Sequence, residues 1–305
     1  MIAIIAPVIA LEQVMEVRGQ DLVACHVHPG GQGVHVARIL QAFGEDCTLA
    51  AFNGGELAPV MRALLDHYGV RHHLVEVPLS TAAVVTVRRD AGTPEVWQQP
   101  CPPVSPHDAD TLLALATALV LESRAVVLIG TLTQGMPASF FAQLVRAARC
   151  HGVPTVVDLD PQFMDQPLAA GPTIVKPNLD QLQALVPLGP SPSEEELRRA
   201  AAGLRERGAQ VVVVTLGAEG AVAVAPEGTW RIWPPLMDVE DTAGTGDSMV
   251  ALLALGLAQG WPLEYTLRAG TAAGAAKAVR HDLGVCQPDV AWRLLRRVRM
   301  DRVAA

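Results

Sequence analysis

From about residue 120 onward, short apolar runs alternate with helix-length amphipathic segments. No other feature of the sequence restricts the fold as strongly. Residues 125–129, 155–158, 173–175 and 211–215 have the length and β-branched content of strands. The last of them, Val-Val-Val-Val-Thr, is continuously apolar, as suits a strand covered on both faces. Helical patterns lie at 138–150 and 194–207. The second opens with a capping box from Ser193 to Glu196 and turns Leu197, Ala200, Ala201 and Leu204 to one side. Strands alternating with helices across short loops predict an α/β fold: a doubly wound, mostly parallel sheet flanked by helices.

The amino-terminal part begins in the same way and then departs from the rhythm. Residues 2–6 have the character of a buried first strand, and Val36, Ile39, Leu40 and Phe43 mark a helix closed by Gly44. A strand at 49–52 precedes a second helix carrying Leu57, Met61, Leu64, Leu65 and Tyr68. Two β-prone patches of mixed polarity, 14–28 and 81–99, do not alternate with helices; Asp90-Ala91-Gly92 is the expected turn in the second. They predict a small accessory sheet outside the main fold. Pro100, Pro102, Pro103 and Pro106 form a stiff linker into a helix from about 107 to 120. At the end, a helix through Ala276 and a basic helix with Arg293, Arg296, Arg297 and Arg299 are expected, the arginines on a solvated face.

Composition narrows the function classes. With 50% hydrophobic and only 4% aromatic residues, the core is aliphatic. A net charge of −8 without a basic run argues against a nucleic-acid surface. Nucleotides remain open, because backbone amides can carry a phosphate. The longest apolar runs fall short of a membrane span, and residues 1–9 lack the basic start of a signal peptide. Five scattered cysteines (Cys25, Cys47, Cys101, Cys150 and Cys286) suggest reduced thiols in a cytoplasmic protein.

One stretch carries chemistry. Residues 241–251, Asp-Thr-Ala-Gly-Thr-Gly-Asp-Ser-Met-Val-Ala, place Gly244 and Gly246 ahead of Asp247 and then enter an apolar helical segment. A glycine turn opening a helix aims unpaired amides and the positive end of the helix dipole at one spot, which suits an anion. Asp247 beside that spot can take a proton from an attacking hydroxyl. A glycine turn with an ordinary capping Asp has the same spelling, and the stretch alone does not separate the two. The glycines at 30–33 do not complete a dinucleotide fingerprint, since Val36 stands where the third glycine belongs. No P-loop, zinc-ligand spacing or nucleophile elbow is present.

Residues 30–40, Gly-Gly-Gln-Gly-Val-His-Val-Ala-Arg-Ile-Leu, resemble the first signature of the ribokinase (PfkB-type carbohydrate kinase) family, and residues 241–251 resemble its second. Between them, Lys176-Pro177-Asn178 and residues 214–221 resemble the nucleotide-side segments in the family's order. The wording is most similar to the 1-phosphofructokinase and tagatose-6-phosphate kinase branch. The resemblance implies one ribokinase-like α/β domain over residues 1–305, with lid strands inserted at about 12–29 and 80–100 that often pair in a homodimer. It implies a kinase that uses ATP and Mg2+ on a small-molecule acceptor. Asp247 is then the general base, and Gly244, Thr245 and Gly246 form the anion hole together with Ala243. Asn178, Thr215, Gly217 and Gly220 lie along ATP, while Gly30, Gly31, Gln32, Gly33 and His35 face the acceptor. No metal ligand is assigned.

The departures from the family cluster at the acceptor end. Gln32 replaces a Lys and His35 an Asn, and Ala82 follows Thr81 where an Arg usually grips a substrate phosphate. The acid that holds sugar hydroxyls has no clear counterpart: Ala10 stands at its spacing and Glu12 comes two residues late. Gln181 replaces the Glu linked to magnesium, with Asp180 its neighbour. An acceptor other than a phosphorylated ketohexose follows, unless Arg88, Arg89 or a partner supplies the cation. His26, His28, His35, His72 and His73 either line that altered pocket or lie on the surface. The competing reading is a catalytically impaired relative that binds a nucleotide or metabolite as a sensor or partner. A nicotinamide oxidoreductase fails on the missing fingerprint.

Overall fold

The computed structural model describes residues 1–89, 95–240, 242–279 and 286–303. The turn expected at 90–92 and Asp241 lie outside the described residues. The first half contains β1 (Ile2–Ile5), β2 (Ala10–Arg18), β3 (Asp21–Gly30), α1 (Gln32–Ala42), β4 (Cys47–Gly54), α2 (Ala58–His67), β5 (His72–Val77), β6 (Ala82–Arg89), β7 (Glu95–Gln99) and α3 (Pro106–Leu121). The second half continues with β8 (Ala125–Gly130), α4 (Phe140–Cys150), β9 (Thr155–Leu159), α5 (Asp165–Ala170), β10 (Ile174–Val175), α6 (Leu179–Leu185), α7 (Glu194–Glu206) and β11 (Val211–Thr215). It closes with β12 (Ala221–Ala225), β13 (Gly228–Trp233), α8 (Thr245–Gln259), α9 (Leu263–Ala278), α10 (Pro288–Leu295) and β14 (Arg299–Val303).

Ten strands form the main sheet in the order β14-β13-β12-β11-β10-β9-β8-β1-β4-β5. From β11 to β5 every neighbouring pair is parallel, whereas β12, β13 and β14 extend the sheet antiparallel. Successive side chains of a strand leave opposite faces, so β1 sends Ile2 and Ile4 to one core and Ala3 and Ile5 to the other. The first core packs against α1, α8 and α9, and the second against α3, α4 and α7. Both are overwhelmingly aliphatic, as the scarcity of aromatic residues requires.

The two β-prone patches meet in a separate four-stranded sheet ordered β3-β2-β6-β7. Its central pair is parallel, with Ala10 opposite Ala82 and Glu16 opposite Arg88. No helix among the described residues is long and apolar enough to cross a membrane.

The structure corrects the carboxy-terminal expectation. The basic helix ends at Leu295, and Arg299 begins an edge strand, its guanidinium 4.5 Å from the Trp233 ring centroid. All four arginines are exposed as expected, and Arg299 is held in its strand by cation–π stacking and ladder pairing with β13. Short elements with weak periodicity, β5, α5, α6, β12 and β13, are also present beyond those expected from the sequence.

Candidate active site

The amino terminus of α8 is the centre of the site. Gly244, its N-cap, is left-handed (φ 75°, ψ 2°), a conformation that glycine adopts without a Cβ penalty. The turn is closed by Thr245, whose hydroxyl donates to the Thr242 carbonyl at 2.9 Å and whose amide donates to the same oxygen at 3.3 Å. At the far side of the first turn, Ser248 donates to the Gly244 carbonyl through both its amide and its hydroxyl. The Thr245 amide is thus partly spent within the turn. Gly246 and Asp247 follow it, where amides have no carbonyl of their own helix to bond. Asp247 is buried, 7% exposed, at the mouth of the helix.

A cavity of about 650 Å³ opens onto this turn. Of the residues singled out from the sequence, Gln32, Asn178, Thr215, Gly217, Gly220, Thr245, Gly246 and Asp247 all line it. They arrive from four places in the chain because parallel strands deliver their carboxyl ends, and the loops beyond them, to one edge of the sheet. Asn178 caps α6, accepting from the Gln181 amide at 2.8 Å, and bridges Thr215 of the neighbouring strand. Gly217 is left-handed (φ 58°), and a Cβ there would point into open space.

Gly30, Gly31, Gly33 and His35 do not line that cavity but join it through a side-chain contact. His35, in the first turn of α1, places Nδ1 3.0 Å from Oδ2 of Asp247. Its Nε2 lies 3.7 Å from Oε1 of Glu12 on β2. Burial alone would lower the imidazole's pKa. The hydrogen bond to Asp247, the close approach of Glu12 and the charges of both instead push it up to about 9. Burial would likewise raise Glu12, yet the nearby His35 ring with its imidazolium charge and the Gly31 amide hold it below the ordinary carboxylate value.

Each glycine of the 30–33 stretch has its own geometric reason. A Cβ on Gly30 would stand 2.1 Å from Cδ of Glu12, so glycine there admits the Glu12 side chain. Gly31 has φ 96° and donates its amide to Glu12 Oε1 at 3.2 Å. Gly33 serves packing instead: a Cβ would meet that of Ala6 at 2.3 Å and Leu49 Cδ1 at 3.1 Å, where α1 rests on the main sheet.

Three functional candidates carried no assignment from the sequence. Glu12 sits two residues beyond the spacing of the usual acid, but residues i and i+2 of a strand share a face, and that parity was the available signal. Lys176 and Asp158 form an ion pair at 2.9 Å on the cavity floor. The other Asp158 oxygen accepts from Gln181 Nε2 at 3.3 Å. Burial raises the Asp158 pKa, and the Lys176 charge opposes that rise only in part.

Other expected contributors are elsewhere. Ala82 is buried at the base of β6, and Arg88 is six residues further, about 20 Å along an extended strand. Arg89 pairs with Glu95 at 2.9 Å at that distal end. His28 bonds the Tyr68 hydroxyl at 3.0 Å and stacks against His26, while His72 and His73 lie on β5.

The donor set bears on two groups that a kinase would carry. The open glycine turns and the helix mouth fit the phosphates and sugar of a nucleotide. Among the described residues no three His, Cys, Asp or Glu side chains cluster to cage a metal, and both Asp158 oxygens are engaged. The site therefore fits a divalent cation that arrives on the phosphates rather than one held in a cage of side chains.

Comparison with known proteins agrees with this geometry. Residues 3–290 match the pfkB family carbohydrate kinases. The chain is 26% identical over 262 residues to the tagatose-6-phosphate kinase of Staphylococcus epidermidis, covering 85% of this chain and 84% of that one. It superposes on phosphofructokinase-2 from Escherichia coli in complex with fructose-6-phosphate with a TM-score of 0.84 at 28% identity, covering 97% and 98% of the two chains. A possible 1-phosphofructokinase from Thermotoga maritima shares the fold, with a TM-score of 0.89 at 21% identity over 99% of each chain. Signatures, fold and matched length agree: the chain belongs to the pfkB family of carbohydrate kinases, phosphotransferases whose acceptor is an alcohol group.

Proposed function

We propose that this protein transfers the γ-phosphoryl group of ATP to a hydroxyl of a sugar or sugar phosphate, in the manner of a 1-phosphofructokinase. The observation that carries the reading is the enclosed Asp247 carboxylate at the mouth of α8, on the wall of the nucleotide-sized cavity. The names of the tagatose-6-phosphate and fructose-6-phosphate relatives support the acceptor class.

When bound, ATP with Mg2+ supplies the phosphoryl group and screens its charge. The residues of the chain do the rest. Asp247 receives the acceptor's hydroxyl proton as the new oxygen–phosphorus bond forms and the bond to the leaving diphosphate breaks. Amides of residues 243–246, Gly246 foremost, and the helix dipole stabilise the charge on the transferring group. Asn178, Thr215, Gly217 and Gly220 hold the nucleotide, and Gly30, Gly31, Gln32, Gly33 and His35 form the acceptor side.

In this reading the small sheet is a lid on a single α/β domain. Leu22, Val27, Val96 and Trp97 are exposed on it, and such an apolar surface supports a homodimer through the lid. Sedimentation as a monomer at micromolar concentration would refute that part. A cytoplasmic location accords with the scattered cysteines, which form no disulfide among the described residues.

The test is ATP consumption against a panel of sugars, sugar phosphates and nucleosides. Asp247→Asn is expected to lower kcat by about 10²–10⁴-fold while nucleotide affinity persists. One observation favours a nucleotide-binding sensor instead: Lys176 and Gln181 engage both oxygens of Asp158. ATP affinity without turnover on any acceptor would decide for the sensor.

A further inference from the structure

Glu12, His35 and Asp247 come from β2, α1 and α8 and meet at the two nitrogens of the His35 ring beside the α8 mouth. We propose that His35 is the positioning residue for Asp247: it holds Oδ2 while Glu12 fixes the ring from the other side, leaving Oδ1 to receive the acceptor proton. The inference rests on the assignment of Asp247 as the base.

The geometry favours a clamp over a chance contact. An imidazole is flat and rigid, and here each nitrogen faces a carboxylate, Nδ1 at 3.0 Å and Nε2 at 3.7 Å. Only the doubly protonated ring can donate toward both. The outer anchor is itself built in: Glu12 lies in the space that Gly30 leaves and accepts the Gly31 amide at 3.2 Å. A ring hydrogen-bonded to Asp247 and attracted by Glu12 on its far side favours this one orientation, and it orients the Asp247 carboxylate with it.

Loss of the ring proton breaks this arrangement in a defined order. The shorter contact keeps its hydrogen, so the neutral ring still donates to Asp247 and releases Glu12. The base is then held by an unanchored ring. Turnover accordingly acquires an alkaline limit from His35, whose carboxylate partners place its titration at about 9.

The ionisable surroundings are few. Glu12 comes from β2 and Asp247 from α8, while His28 on β3 reaches the ring only through Glu12. Arg38, one turn along α1, stacks on Tyr68 and acts on His28, and Cys47 on β4 meets α1 at Ala37. The strands β1 and β8 carry no titratable side chain.

Two measurements on the full-length protein test the clamp: the pH dependence of kcat, and the imidazole titration followed by NMR. The wild-type protein is expected to show an alkaline limb and a His35 titration both near 9. In Glu12→Gln the limb and the titration move down together by about one pH unit or more. His35→Asn keeps an N–H donor for Asp247 and loses the limb, with kcat at neutral pH within about tenfold of wild type, whereas His35→Leu loses about a hundredfold. A wild-type imidazole titrating near 6.5 overturns the proposal, as does a limb unchanged in His35→Asn, or equal rates in His35→Asn and His35→Leu. Undiminished turnover in Asp247→Asn overturns the base assignment and the catalytic part of this inference with it. If no acceptor is phosphorylated, the proposed function fails separately, and the titration still decides the clamp. A value near 9 that falls in Asp247→Asn supports the clamp, and an ordinary value refutes it.

Discussion

The Lys176 ammonium lies 2.9 Å from Oδ2 of Asp158, each side chain 3% exposed, directly beneath Gly246 of the helix mouth. A Cβ on Gly246 would come within 3.6 Å of that ammonium. The floor of the site is thus a buried ion pair whose cation stands next to the amides expected to meet phosphate.

Truncating one partner of such a pair strands the other charge away from water. Lys176→Met should lower the unfolding free energy by about 3–5 kcal/mol, read by urea denaturation. Adding Asp158→Asn should restore part of the loss, because the uncompensated carboxylate is removed. A single variant as stable as the wild-type protein would show that the pair contributes specificity rather than stability.

Stability should also follow pH through the Glu12–His35–Asp247 contact. The folded His35 value, about 9, lies above its ordinary 6.5, so its contribution is complete below 6.5 and fades as pH rises through 9. Glu12 is shifted the opposite way: its contribution is complete above its ordinary value of 4.5 and fades in more acidic solution. Both are therefore complete together between 4.5 and 6.5. The shift of the imidazole is worth on the order of 3 kcal/mol as an upper bound. The difference in Tm between the wild-type protein and His35→Leu should be largest near pH 6 and shrink by pH 10. A difference independent of pH would mean that the ring acts by packing alone.

Gly33 gives a prediction that concerns the scaffold. Its missing Cβ lets α1 settle on β1 and β4, and Gly33→Val would drive two methyl groups against Ala6 and Leu49. Overpacking of this kind costs about 1–3 kcal/mol, and more where backbone must move. Displaced α1 would also carry His35 away from Asp247, so turnover should fall with stability. Thermal denaturation alongside kcat checks both.

Much of the fold was legible because the alternation of apolar runs and helices is repeated. The continuous run at 211–215 belongs in the main sheet, with 211–214 buried, and the patches that broke the rhythm meet in one small sheet. The α8 mouth was legible because two glycines, an acid and an apolar helix adjoin in sequence. What escaped depends on contacts between distant segments. Glu12 was set aside on spacing, although a strand needs only parity to keep a side chain on the same face. Asp158 carries no local signal, since its meaning comes from Lys176 on the adjacent strand end. Arg299 follows a helix and was assigned to it, while the Trp233 ring and ladder pairing with β13 give it a strand's place. The glycines at 30–33 looked alike as letters, yet one yields to a carboxylate, one adopts a positive φ and one admits a neighbouring strand.

The meeting of α1 with α8 also bears on how the protein comes into being. Glu12 and His35 are made before Asp247, which follows His35 by 212 residues. On the proposed assignment, a nascent polypeptide on the ribosome holds the acceptor-side residues without the base. It should then stay chemically silent until α8 emerges, and a message cut short before that point should yield no partly active enzyme.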